Sequence, residues 1–159
     1  MRNDINIRAS RFIVAQTLGV CGHCRKATRL VALAVPPGHM ALELDDEAQD
    51  EETAVDTWRI AANHALLFHV EYLPAAVRRR LRQFASSYRL SDPAAHWANH
   101  CGHCGASFDD QELFCEPGGA FLPPDESSAG SIHLERIDEA FEAVAAGYAY
   151  EPCFFGSLV

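Results

Sequence analysis

No stretch of this 159-residue chain approaches the roughly 20 apolar residues that a membrane-spanning helix needs. Residues 1–11 carry Arg2, Asp4, Arg8 and Arg11 and lack the apolar run of a secretory leader, so a cytoplasmic protein is expected. A phosphate-binding glycine loop, a nucleophile elbow and an HExxH helix are all missing. No repeat spans the chain, and there is no collagen-like or low-complexity bias. Aromatic residues make up only 9%, but 48% of residues are hydrophobic, too many for a wholly disordered chain. A chain of this length can bury about two-thirds of its unfolded surface, enough for a real core.

Basic residues are also few, 13 against 22 acidic, and the net charge of −9 argues against a generic nucleic-acid coat. The charge lies in alternating blocks. Residues 43–56 hold eight carboxylates and no basic residue, and residues 101–159 hold eleven carboxylates against Arg136 alone. The first 42 residues and residues 57–100 are net basic. The acidic run 43–56 is expected to be a loop, because like charges repel and little apolar surface is available to bury.

What the chain does have is a duplicated tetrapeptide, Cys-Gly-His-Cys, at 21–24 and again at 101–104. Two CxxC pairs are the usual ligand set of one tetrahedral zinc, so Cys21, Cys24, Cys101 and Cys104 are expected to share a structural Zn2+. Four thiolates leave no open position, which argues against a catalytic metal. Iron in a four-thiolate cage has the same ligand spacing and ranks second. Seventy-six residues separate Cys24 from Cys101, far more than in a simple ribbon. Loop closure grows only slowly with length, so a metal can still join the two hairpins.

CGHC is also a thiol–disulfide oxidoreductase tetrapeptide, but that chemistry places the first Cys at a helix N-terminus. Here Cys24 leads into a strand-like run and Cys104 into Gly105, so this reading ranks below zinc. His23 and His103 are expected at exposed knuckle tips. Cys115 and Cys153 have no CxxC partner and are expected to be buried as small hydrophobes. His64, His69 and Glu71 are candidates for a second metal or acid–base site, but in so apolar a region their expected role is as core or edge residues.

Residues 12–18 and 30–35 read as strands of a hairpin with the first CGHC at its tip, closed off by Pro36, Pro37 and Gly38. Residues 40–44, 66–73, 96–100 and 131–137 also read as strands, although a helix from near Asp56 competes with the second of these. After Pro74, Val77, Leu81, Phe84 and Tyr88 form one helical stripe, and Arg78, Arg79, Arg80 and Arg82 cover much of the rest. Those arginines could meet phosphates, with Tyr88 or Trp97 stacking on a base, but a solvated or internally paired helix face is the expected role. Asp138 reads as the cap of a helix running to about Ala146 and stopped by Gly147.

The expectation is a single α+β domain. A split zinc ribbon forms from residues 12–38 and 96–122. Residues 39–95 are an insertion carrying the acidic loop and the Arg-rich helix, and residues 123–159 are a C-terminal extension. The leading functional reading is a zinc-dependent adaptor for a protein partner or a second copy of the chain. A nucleic-acid-binding ribbon and a thiol oxidoreductase are the alternatives.

Residues 97–123, WANHCGHCGASFDDQELFCEPGGAFLP, resemble a segment of small uncharacterised bacterial proteins with paired CxxC motifs. In these an aromatic-Asn strand enters CxxCGA, and a turn like Glu116-Pro117-Gly118-Gly119-Ala120-Phe121 follows. The resemblance implies a zinc-ribbon-like fold and carries no activity.

Overall fold

The computed structural model describes residues 5–43, 56–91, 95–116, 119–122 and 131–150. Among these residues ten strands and two helices follow in chain order: β1 (Ile7–Ala9), β2 (Phe12–Val20), β3 (Ala27–Val35), β4 (Met40–Glu43), β5 (Thr57–Ile60), β6 (Ala65–Tyr72), α1 (Ala75–Arg82), β7 (Tyr88–Ser91), β8 (His96–Asn99), α2 (Asp110–Phe114), β9 (His133–Ile137) and β10 (Phe141–Tyr150). Eight strands form one antiparallel sheet in the order β5-β4-β1-β10-β6-β3-β2-β9, and β7 and β8 form a separate hairpin.

This architecture corrects the expected α+β split ribbon. The β2–β3 hairpin carries Cys21 and Cys24 at its tip as expected, but residues 39–95 are not an insertion. They supply β4, β5 and β6 to the same sheet, and β6 pairs with both β3 and β10. Residues 133–150, within the expected C-terminal extension, also belong to the sheet. β9 pairs with β2, and β10 lies in the middle of the sheet between β1 and β6. The expected helix after Asp138 is strand β10. Its Ala-rich composition suits a helix, but Phe141, Ala143 and Ala145 are buried in strict alternation, a period that only a strand satisfies. Most of the acidic run, residues 44–55, lies outside the described residues.

The sheet is covered on both faces, which explains why residues 30–35 read as a continuous apolar run rather than an alternating one. Phe12, Val14, Val31, Leu33 and Leu67 face one core, closed over by Val77 and Leu81 of α1 and by Tyr88 and Trp97 of the β7–β8 hairpin. Ile13, Ala15, Leu30, Ala32 and Leu66 face the other, closed over by Leu113 and Phe114 of α2 and by Phe121. Gly119 lies directly against α2, where a Cβ would come within 2.3 Å of the Glu112 carbonyl oxygen. Only a residue without a side chain fits the return from α2 to Phe121 without a backbone shift.

Two asparagines take the place of strand neighbours. β3 has β6 beside it only at Ala34 and Val35, so the Val31 backbone faces away from any strand on that side. There the fully buried Asn99 at the end of β8 accepts from the Val31 N–H and donates to the Val31 carbonyl, both at 2.8 Å. Asn6 does the same for Ala145 of β10, at 2.9 and 2.7 Å, next to a register shift between Val144 and Ala145. Both pairings satisfy backbone groups that would otherwise be buried unpaired.

Candidate metal centre

Each CGHC is a tight turn between two extended segments, and the two turns are built alike. Cys21 N–H donates to the Lys26 carbonyl, Arg25 N–H to the Cys21 carbonyl, and His23 N–H approaches the Cys21 Sγ at 3.4 Å. In the second turn Cys101 N–H donates to the Ala106 carbonyl, Gly105 N–H to the Cys101 carbonyl, and His103 N–H approaches the Cys101 Sγ at 3.4 Å. The residue after each second cysteine is left-handed, Arg25 at φ 64° and Gly105 at φ 79°. This conformation costs an ordinary residue about 1 kcal/mol and glycine almost nothing. Gly105→Ala should therefore destabilise the protein by about 1 kcal/mol, while Arg25→Gly should not destabilise it. Denaturant unfolding checks the pair, and the reverse ranking would show that the two turns are not equivalent.

The fold brings the two turns face to face. The sulfurs of Cys21, Cys24, Cys101 and Cys104 all lie within 4.8 Å of one another, and among the described residues this is the one His, Cys, Asp or Glu cluster arranged to hold a metal ion. The shortest sulfur contacts cross between the turns: Cys21 to Cys104 and Cys24 to Cys101, both 3.6 Å. Three further links hold the second turn to β3. Asn99 clamps Val31, Gly102 N–H donates to the Thr28 Oγ1 at 3.0 Å, and the His103 ring lies 3.1 Å from the Ala27 carbonyl through Nε2. The four cysteines expected to come together do so, and the surrounding fold is not the small ribbon that the resemblance of residues 97–123 implied.

The donor chemistry fits a soft cation. The N–H groups of Cys104 and His103 turn toward Cys101 and bring its thiol down to about 6, and those of Cys24 and His23 lower Cys21 in the same way. At Cys104 the Ala106 N–H favours the thiolate, but burial and the neighbouring sulfurs of Cys21, Cys101 and Cys24 outweigh it and push the thiol up to about 11. Four sulfurs this close cannot all ionise unless a cation sits among them, and a coordinated thiol is deprotonated outright.

Neither CGHC opens a helix. The first runs into β3, and the second is followed by an isolated bridge at Ser107 before α2 begins at Asp110. The helix-dipole activation expected of an oxidoreductase cysteine is absent from both. His23 and His103 are exposed, as expected of knuckle tips. Cys115 is a correction: it is exposed at the C-terminus of α2, not buried, because the buried side of that short helix belongs to Leu113 and Phe114. Cys153 lies outside the described residues.

A second polar cluster joins β6, β8 and α2. His69, left-handed at φ 45°, stacks on His96 with ring centroids 4.5 Å apart, and Ala95 before His96 is left-handed too. The His69 backbone N–H donates to the Asp110 Oδ2 at 2.8 Å, and the His69 Nε2 lies 3.7 Å from Asp109. Asp110 is 1% exposed and its Oδ1 has no hydrogen-bond partner. His69 thus partners His96, Asp109 and Asp110, in keeping with the expected role of an edge residue. The sequence signal for this cluster was slight, a DD pair at 109–110 of which one member is buried.

Burial pushes the Asp110 carboxyl up, against the opposing pull of the His69 N–H and of the His69 and His96 rings. A raised carboxyl binds its proton more tightly in the folded state, so its contribution to stability falls as pH rises from about 3.9 through the raised native value. Asp110→Asn keeps an acceptor for the His69 N–H and removes the titration. The stability of the wild type relative to this variant should fall as pH rises through that window and then level off. A difference that stays flat or rises would contradict the assignment.

Comparison with known protein families, curated proteins and solved structures finds no match. No helix among the described residues is long and apolar enough to cross a membrane.

Proposed function

We propose that the chain is a structural-zinc adaptor, in which one Zn2+ held by Cys21, Cys24, Cys101 and Cys104 fastens the β8 arm to the β2–β3 hairpin and so fixes a protein-binding end of the sheet. The sulfur geometry carries the metal reading. A tetrahedron with Zn–S bonds of about 2.3 Å has edges of about 3.8 Å, and the two cross-turn contacts are 3.6 Å. Two of the four cysteines are buried, in keeping with a closed site rather than a catalytic one.

The adaptor role draws support from the surface beside the first turn. Leu18 and Val20 are 69% and 67% exposed at the end of β2, and they border an open hollow of about 710 Å3 lined also by His23, Phe108 and Glu112. Apolar side chains grouped at a rigid edge suit a protein partner or a second copy of the chain.

Metal analysis of the purified protein tests the reading, with about one zinc per chain expected and none after Cys101→Ser. Iron in place of zinc would keep the site and change the ion. A metal-free, folded protein with a reversible disulfide in each CGHC would replace this reading with the oxidoreductase one.

A further inference from the structure

A second depression, of about 410 Å3, borders Leu18 from another direction and lies between the end of α1, the start of β3 and the second turn. Arg29, Arg82 and His103 line it, together with the hydroxyl residues Ser86 and Ser87 and the ring of Phe84. Among the described residues no carboxylate lines it. In a chain with 22 acidic residues, a depression with two arginines and no acid is a local inversion of the overall charge.

The arginines are free to act on a ligand. Arg80 pairs with Glu139 at 3.7 Å, but Arg82 has no carboxylate partner among the described residues. Arg29 spends one N–H on the neutral Phe84 carbonyl at 3.2 Å, which holds its guanidinium at the depression without neutralising it. The remaining guanidinium N–H groups and the two serine hydroxyls are donors suited to the oxygens of a tetrahedral anion.

We propose that this depression is an oxyanion site that takes a phosphate group, held by Arg29 and Arg82 and bordered by Ser86 and Ser87. The phosphate comes either from a free phosphorylated small molecule or from a nucleic-acid backbone. The inference does not rest on the adaptor reading, since the two hollows share only Leu18, and it does not depend on which metal the cysteines hold.

The test uses the full, metal-loaded chain with two probes at about 25 mM salt: pyrophosphate by calorimetry and a labelled oligothymidine of about 20 nucleotides by fluorescence anisotropy. At least one should bind. Arg29→Gln with Arg82→Gln should weaken binding about tenfold or more, whereas Arg78→Gln with Arg79→Gln, an equal loss of charge on exposed arginines of α1, should change it less than about twofold. Ser86→Asp, a second and independent variant, should also abolish binding. Pyrophosphate binding alone assigns the site to a free phosphorylated molecule. Oligothymidine binding whose salt slope falls by roughly 1 to 2 in the Arg29 and Arg82 variant assigns it to a backbone. The proposal is overturned if neither probe binds, or if the two arginine pairs weaken binding equally.

Discussion

Removing the metal with a chelator, or replacing Cys101 by Ser, is expected to lower the melting temperature by roughly 10–15 °C. The argument starts from the separation of the ligands. Seventy-six residues lie between Cys24 and Cys101, and β3, β4, β5, β6, α1, β7 and β8 all fall within that span. A cross-link closing a loop of this length removes about 4–5 kcal/mol of unfolded-chain entropy, a large share of the 5–15 kcal/mol that holds a typical domain together. Without the cation, the crowded sulfurs of Cys21, Cys24, Cys101 and Cys104 lose their partner and the second turn loses its anchor. The eight-stranded sheet has cores on both faces that contain none of these cysteines, so it should keep its far-ultraviolet signature while the β7–β8 arm loosens. Hydrogen exchange should accordingly rise first at residues 96–108. An unchanged melting temperature with metal removed would show that the cluster does not staple the fold.

Asn99→Ala is expected to destabilise the protein by about 3–5 kcal/mol, far more than deleting one polar side chain usually does. Asn99 is fully buried and bonds both backbone groups of Val31, so its removal leaves an N–H and a carbonyl unpaired in the core, each at a cost of about 1–3 kcal/mol. Asn99→Asp should be nearly as damaging, because the carboxylate cannot donate to the Val31 carbonyl and brings a charge into the core. Asn99 lies two residues before Cys101, so its loss should weaken metal binding as well as folding. Denaturant unfolding and a competitive chelator titration measure the two effects. A loss below about 1 kcal/mol would mean that β8 is docked by something other than this clamp.

The parts of this structure legible from sequence are those whose chemistry is local. The CGHC turns announce themselves through spacing, and the β2–β3 hairpin follows from two apolar runs on either side of the first. The stripe of Val77 and Leu81 places α1, although the helix stops at Arg82 and Tyr88 already belongs to β7. Tyr88 is buried against Trp97, with ring centroids 6.0 Å apart, so these rings serve the core.

What sequence could not show depends on which strands become neighbours. Residues 141–146 lie in the stretch that reads as a helix, and they become part of a central strand because β1 and β6 flank them. Asn99 looks like an ordinary polar residue before a knuckle. Its role follows from the absence of a strand beside Val31, a fact of sheet order. His69 and Asp110 are forty-one residues apart, and their hydrogen bond is visible only once α2 covers β6.

X-ray absorption at the metal edge of the purified protein tests the central claim most directly, since it reads the ligands themselves. One zinc bound by four sulfurs at about 2.3 Å is the predicted result. A first shell with nitrogen or oxygen in place of two or more sulfurs would contradict a site shared by Cys21, Cys24, Cys101 and Cys104, and so would a folded protein that holds no metal.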